Sequence, residues 1–165
     1  MVYLKNMKLF LHHVILLSCL GLSGCAPISF DETRSKEAQS LVAGCYRTDI
    51  ETYLYHQLKN KDTYLIQTGM PYNEWETGSY GKTWKSIVEV PVGTQFRVTR
   101  VFNQHWGNGR RWLIYGRFAD ATLFDQEFII PSGNYARTGQ IWISPVSPLA
   151  DNNPPRFESN FVRSC

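Results

Sequence analysis

With 165 residues, 43% of them hydrophobic, the chain is long enough for one domain with a genuine core and short for two. Its formal charge is +3, but Lys5 and Lys8 stand in the first 24 residues with no acid beside them, so the remainder carries +1. That near-neutral balance argues against nucleic acid as a partner.

The chain begins basic and then turns apolar. Lys5 and Lys8 precede Leu9, Phe10 and Leu11, and after His12 and His13 the run continues from Val14 to Leu20. This is the layout of a secretory signal peptide, with Met7 as an alternative start. It is too short and too interrupted to cross a bilayer, which takes about 20 mostly apolar residues.

Leu22-Ser23-Gly24-Cys25 closes this segment and resembles the bacterial lipobox, an apolar residue and two small ones before a cysteine. The resemblance implies cleavage before Cys25, a diacylglyceryl group on its sulfur and an acyl chain on its nitrogen. Two such signals give stable anchoring. Leu16-Leu17-Ser18-Cys19 is a competing match that would leave Leu20-Gly21-Leu22 exposed, and it ranks lower. The other reading of Cys25 is an ordinary thiol behind a non-lipoprotein signal. Ala26 follows the cysteine where an aspartate would favour inner-membrane retention, so the resemblance implies the outer membrane of a Gram-negative bacterium.

Three segments follow: residues 1–24 as signal peptide, 25–44 as a lipidated tether, and 45–165 as a folded domain. With Cys19 removed and Cys25 lipidated, Cys45 and Cys165 are the remaining thiols in an oxidising compartment, and they are expected to pair. The alternative is two separate buried thiols. Closing a loop of about 120 residues would contribute roughly 4–5 kcal/mol, less any strain. No metal is expected, because two distant cysteines and two scattered histidines, His56 and His105, show no ligand spacing. No cofactor beyond the covalent lipid is implied.

Residues 27–44 read as a polar tether with a short helix, capped by Asp31 or Ser35, edged by Ala38, Leu41 and Val42, and stopped at Gly44. Beyond Cys45 the chain reads as short strands separated by Gly, Pro and Asn. Residues 63–67 and 86–90 are two such runs, followed by a turn at Pro91-Val92-Gly93-Thr94. Over residues 95–102 Phe96 and Val98 share one face, and the shift to Val101 and Phe102 predicts a bulge or a strand passing an edge. Gly107-Asn108-Gly109 predicts a hairpin whose second arm covers residues 111–118. There Trp112, Ile114, Gly116 and Phe118 alternate with Leu113, Tyr115 and Arg117. Residues 124–130 and 140–144 add two more strands, and Pro145, Pro148, Pro154 and Pro155 mark an irregular return.

The pattern is mainly β, a small barrel or sandwich. VPVGTQFRVTRVF resembles the Pro-x-Gly-Thr turn and central strand of bacterial SH3-like domains, and RRWLIYGRF resembles the Trp-led strand that follows it. The likeness covers roughly residues 60 to 130 and implies a long first loop over residues 69–85. The Gly-Trp-Val ending common in that family is missing.

That loop holds the most unusual stretch, MPYNEWETGSYGKTW, with Tyr72, Trp75, Tyr80 and Trp84 among glycines and polar residues. Aromatic side chains on a loop give large contact area at low entropy cost and stack on sugars or partner side chains. They form a candidate recognition surface, together with Trp106 at the hairpin. The competing reading folds two or three of them back as a lid on the barrel. Catalysis finds little support: Glu74 and Glu76 flank Trp75, but alternating carboxylates in a polar loop are usually solvated. Arg97, Arg100, Arg110, Arg111 and Arg117 would make a basic patch if the strands pair as read.

The functional expectation is a non-enzymatic outer-membrane lipoprotein whose domain binds an envelope protein or peptidoglycan. One alternative is an inhibitor or immunity lipoprotein against a lytic enzyme or toxin. Another is a periplasmic wall or polysaccharide hydrolase using Glu74 or Glu76.

Overall fold

The computed structural model describes residues 27–59, 63–68, 84–106, 109–132, 140–145 and 154–165. The first strand is unexpected. Ile28–Asp31 (β1), within the segment read as a tether, pairs antiparallel with the far end of a 12-residue strand, Gln95–Trp106 (β6). The helix does form, over Lys36–Val42 (α1), and Ser35 is its N-cap, its Oγ accepting from the Ala38 amide at 3.2 Å. Asp31, the other candidate cap, instead receives the Thr33 amide at 2.9 Å. Ala38 and Leu41 turn the buried side of α1 toward β6.

Most of the remaining chain enters one sheet. Its further strands are Tyr46–Thr48 (β2), Thr52–Gln57 (β3), Tyr64–Thr68 (β4), Trp84–Val90 (β5), Gly109–Phe118 (β7), Phe128–Ile130 (β8) and Val162–Ser164 (β11). The order is β11-β2-β6-β7-β8-β4-β3-β5, with β1 beside β6 off this path. Ile143–Ser144 (β9) and Arg156–Phe157 (β10) form a separate two-stranded ribbon. The molecule is therefore mainly β, as expected, but the sheet is not closed: its path ends at β5 and β11, and the closed form of the expected barrel is corrected.

The turn at Pro91-Val92-Gly93-Thr94 explains the difference. Gly93 has φ +87°, as the third position of a type II turn requires, and the Thr94 amide bonds back to the Pro91 carbonyl at 3.1 Å. Yet the strands on either side of this turn do not pair with each other. β5 pairs with β3, while β6 pairs with β2 and β7, so the turn is a corner between two parts of the sheet. Five neighbour steps separate β5 from β6 along the sheet, and the sheet must curl to let one turn join them. Thr48 pins the corner: its amide donates to the Thr94 carbonyl and its hydroxyl to the Pro91 carbonyl.

The β6–β7 pair follows the sequence reading. Trp106 faces Gly109, leaving two residues to connect the arms, and the register slips between Val98 and Arg100. That slip is the predicted bulge, and it returns Val101 to the core face beside Val98. Two strands are shorter than expected. Residues 124–130 yield only β8: residues 125–127 stay outside the ladder, and ahead of them Asp120 accepts from the Thr122 amide and hydroxyl in a local turn. Residues 140–144 yield only β9.

The larger core lies on the inner face of the curl. Leu54, Ile66, Val90, Phe96, Ile114 and Phe128 are among its buried members, and Trp142 seals it from the β9 side. A smaller cluster forms on the other face from Tyr55, Leu65, Trp84, Leu113 and Ile129. Consecutive residues such as Leu54 and Tyr55, or Ile114 and Leu113, thus enter different clusters.

The disulfide joins Cys45 to Cys165, with a Cα separation of 5.3 Å across 120 positions of sequence. It extends the β11–β2 ladder, since the Cys165 amide also donates to the Cys45 carbonyl at 3.0 Å. Arg163 and Asp49 pair at 2.7 Å beside it. Gly44, the predicted helix stop, has a further reason to be glycine: an added Cβ would meet the Tyr46 ring within 2.7 Å.

Candidate functional site

The arginines sort into two groups along β6 and β7. Near the bulge, Arg97 lies opposite Arg117, and Arg100 lies opposite Tyr115. Arg110 and Arg111 begin β7 at the other end, opposite His105 and Gln104. Four residues of extended strand, roughly 13 Å, separate the Arg100 row from the Arg111 row. The single basic patch considered from the sequence is thus two.

The first group borders a groove of about 290 Å³, lined by Tyr64, Arg100, Tyr115, Arg117, Asp125 and Glu127 among others. Here the bulge matters, because it turns Arg100 onto the outer face beside Tyr115. The guanidinium carbon stands 4.3 Å from the Tyr115 ring centre and 5.6 Å from that of Phe102. The same side chain is ion-paired with Glu127, which comes from the loop before β8. With Arg100 at 45% and Glu127 at 24% exposure, the pair is open to solvent, so its contribution to stability is small. Tyr64 stacks on His56 at 5.0 Å between ring centres and meets Phe124 edge-on. Charged groups of both signs beside aromatic faces suit a polar chain with some flat surface, such as a saccharide or a peptide.

A second groove, of about 450 Å³, runs between α1, β2 and the β10–β11 region. Leu41, Tyr46, Phe157 and Val162 give it an apolar floor. The Tyr46 hydroxyl donates to the Ser40 carbonyl at 3.1 Å, its ring meets Phe157 at 4.4 Å, and burial raises its pKa. A third, of about 370 Å³, is bounded by Asp31, Thr33, Arg34 and Arg100. The Asp31 carboxyl is held below its ordinary value of 3.8, first by the Thr33 hydroxyl and then by the Thr33 amide.

Of the sequence-derived candidates, Cys25, Tyr72, Trp75 and Tyr80 lie outside the described residues, as do Glu74 and Glu76. Trp84 is described and opens β5. It is only 9% exposed and packs with Tyr55, Leu65, Leu113 and Ile129, so its place is in the smaller cluster. Burial in that cluster also pushes the Tyr55 phenol up to about 12, with Tyr53 adding to the effect. Trp106 is the last residue of β6. The two histidines are used apart, His56 against Tyr64 and His105 against Phe30 at 4.9 Å. Among the described residues no group of three His, Cys, Asp or Glu side chains is placed to hold a metal. No described helix is long and apolar enough to cross a membrane.

Sequence reasoning missed the Arg100-centred groove as a unit. Its signal was the predicted bulge, which decides the face that Arg100 takes, but Glu127 and Tyr64 reach it only through the sheet order. Comparison with protein-family models, with curated proteins and with solved structures found no match.

Proposed function

We propose that the chain is a non-enzymatic lipoprotein of the Gram-negative envelope, anchored in the outer membrane through Cys25, whose β-domain binds an envelope protein or peptidoglycan. The observation that carries this reading is the Cys45–Cys165 bridge, because structural disulfides persist in exported proteins and are rare where thiols are kept reduced. It supports the export signal read in residues 1–24 from an independent part of the chain. The groove around Arg100, Tyr115 and Glu127 supports a binding role. The SH3-like likeness rests on the Pro91–Thr94 turn and the β6–β7 pair that follows it, set in a sheet of different order.

The anchor is tested by metabolic labelling with a fatty acid and by membrane flotation. Wild type should carry label and float, while Cys25→Ala should yield an unlabelled form that is uncleaved or soluble. Labelled, membrane-bound Cys25→Ala protein would overturn the anchor. Binding is tested by crosslinking in intact envelopes, comparing wild type with Arg100→Ala and Trp75→Ala. A partner or glycan captured by wild type and lost from either folded variant supports recognition; an unchanged capture profile in both removes these residues from it.

A further inference from the structure

β1 changes how the domain must sit on its membrane. Three residue steps separate Cys25 from Ile28, and a fully extended chain covers at most about 11 Å in that distance. Because Ile28 is fixed in the sheet opposite His105, the lipid attachment point lies within that radius of one particular end of the fold. This argument rests on the proposed lipidation of Cys25.

That end has the surface a bilayer would favour. Ile28 is 61% and Phe30 49% exposed, and all four residues of β1 are exposed. The register aligns Ile28, His105 and Arg110 across three strands, and Ser29, Gln104 and Arg111 in the next row. At strand spacings of about 4.8 Å, each row is roughly 10 Å wide. Arg110 and Arg111 are both exposed, and no acid occurs between Glu89 and Asp120 or between Cys25 and Phe30. The nearest carboxylate on β1, Asp31, is at the strand's other end and engaged by Thr33. Ile28, Phe30 and Arg110 share one face of the sheet and Arg111 takes the other, so this end presents apolar side chains beside one arginine and a second arginine behind them, a combination matched to the interface of an anionic leaflet.

We infer that the edge formed by Ile28, Phe30, Arg110 and Arg111 seats directly on the anionic phospholipid surface that holds the Cys25 lipid. The protein is then oriented, with β6 leading away from the membrane. Its other end, at the Pro91–Thr94 turn, stands roughly 35–40 Å off, since β6 itself has 12 residues at about 3.3 Å each. The groove around Arg100 lies between these two ends.

The test uses full-length lipidated protein in vesicles of phosphatidylethanolamine and phosphatidylglycerol, with hydroxyl-radical footprinting read by mass spectrometry. Val92, 60% exposed at the far turn, is the internal reference. Oxidation of Ile28 and Phe30 relative to Val92 should fall at least threefold against the same protein in phosphatidylcholine vesicles. The double variant Arg110→Glu, Arg111→Glu alters only exposed side chains; it should float as wild type does yet regain the oxidation. Protein that floats while Ile28 and Phe30 stay as reactive as in phosphatidylcholine, or that protects Val92 instead, overturns the seating and leaves the anchor intact. Protein that lacks the acyl groups and does not float overturns the anchor, and the seating with it.

Discussion

The two ends of β6 share one strand and one partner, β7, yet they live in different surroundings. At the first end Phe96 is 1% exposed, wedged among Tyr46, Phe128 and Phe157, with β2 completing its other edge. At the second, β1 supplies the edge and leaves Ile28 and Phe30 in the open. Between them neither strand continues, and Thr33 bridges the gap: its hydroxyl receives the Val101 amide at 3.0 Å while the Glu32 amide donates to the Val101 carbonyl. A strand of 12 residues is longer than the core beneath it, so backbone pairing outlasts burial. Stability should therefore be concentrated at one end and surface chemistry at the other.

The largest expected effect breaks or keeps that contrast. Phe96→Ala should cost about 3–5 kcal/mol in denaturant unfolding, the usual loss for a buried phenylalanine, while Phe30→Ala should stay within about 0.5 kcal/mol. Equal losses would erase the difference. Next, replacing Cys45 and Cys165 together by serine should remove about 2–5 kcal/mol and lower the melting temperature, because the bridge braces β2, the edge neighbour of the buried end. A change below about 1 kcal/mol would show that the buried end holds without it.

Smaller effects sharpen the region between the ends. Ser35→Ala removes the cap of α1, which packs on β6; about 1 kcal/mol should be lost, measured the same way. Acid should act more weakly still. Asp31 is depressed in the folded state, so its contribution is present above the ordinary value of 3.8 and is lost as pH falls through its lower folded value. An amide chemical-shift titration of Thr33 should accordingly have its midpoint below 3.8, and Thr33→Val should move the Asp31 midpoint upward.

The same contrast explains what the sequence made legible. The helix cap at Ser35, the bulge beyond Val98 and the alternation along β7 were readable because each leaves a local mark: a capping hydroxyl, a phase slip, a period of two. β3 lacks such a mark. Leu54 enters one cluster and Tyr55 the other, so burial on both faces cancels the alternation. β1 is exposed throughout, and β2, β10 and β11 are two or three residues long, which leaves no period to detect. The groove at Arg100 depends on β4 and β8 lying side by side, the one parallel pairing in the described sheet, and nothing local encodes that neighbour relation. The aromatic loop was the most visible candidate in the sequence; of its four aromatics only Trp84 falls among the described residues, and it is buried.

The place of β2 also has a consequence for how the fold is reached. One edge of this three-residue strand is filled by β6, but the other waits for residues 162–164. Such a distant closure comes late, after the nearer pairings have formed. Until it does, β2 offers a bare strand edge on an otherwise assembled sheet, and an edge of that kind accepts any matching segment that arrives first. In a crowded refolding mixture the competitor best matched to it is β11 of another copy, so exchange between chains is the natural way for this domain to go wrong.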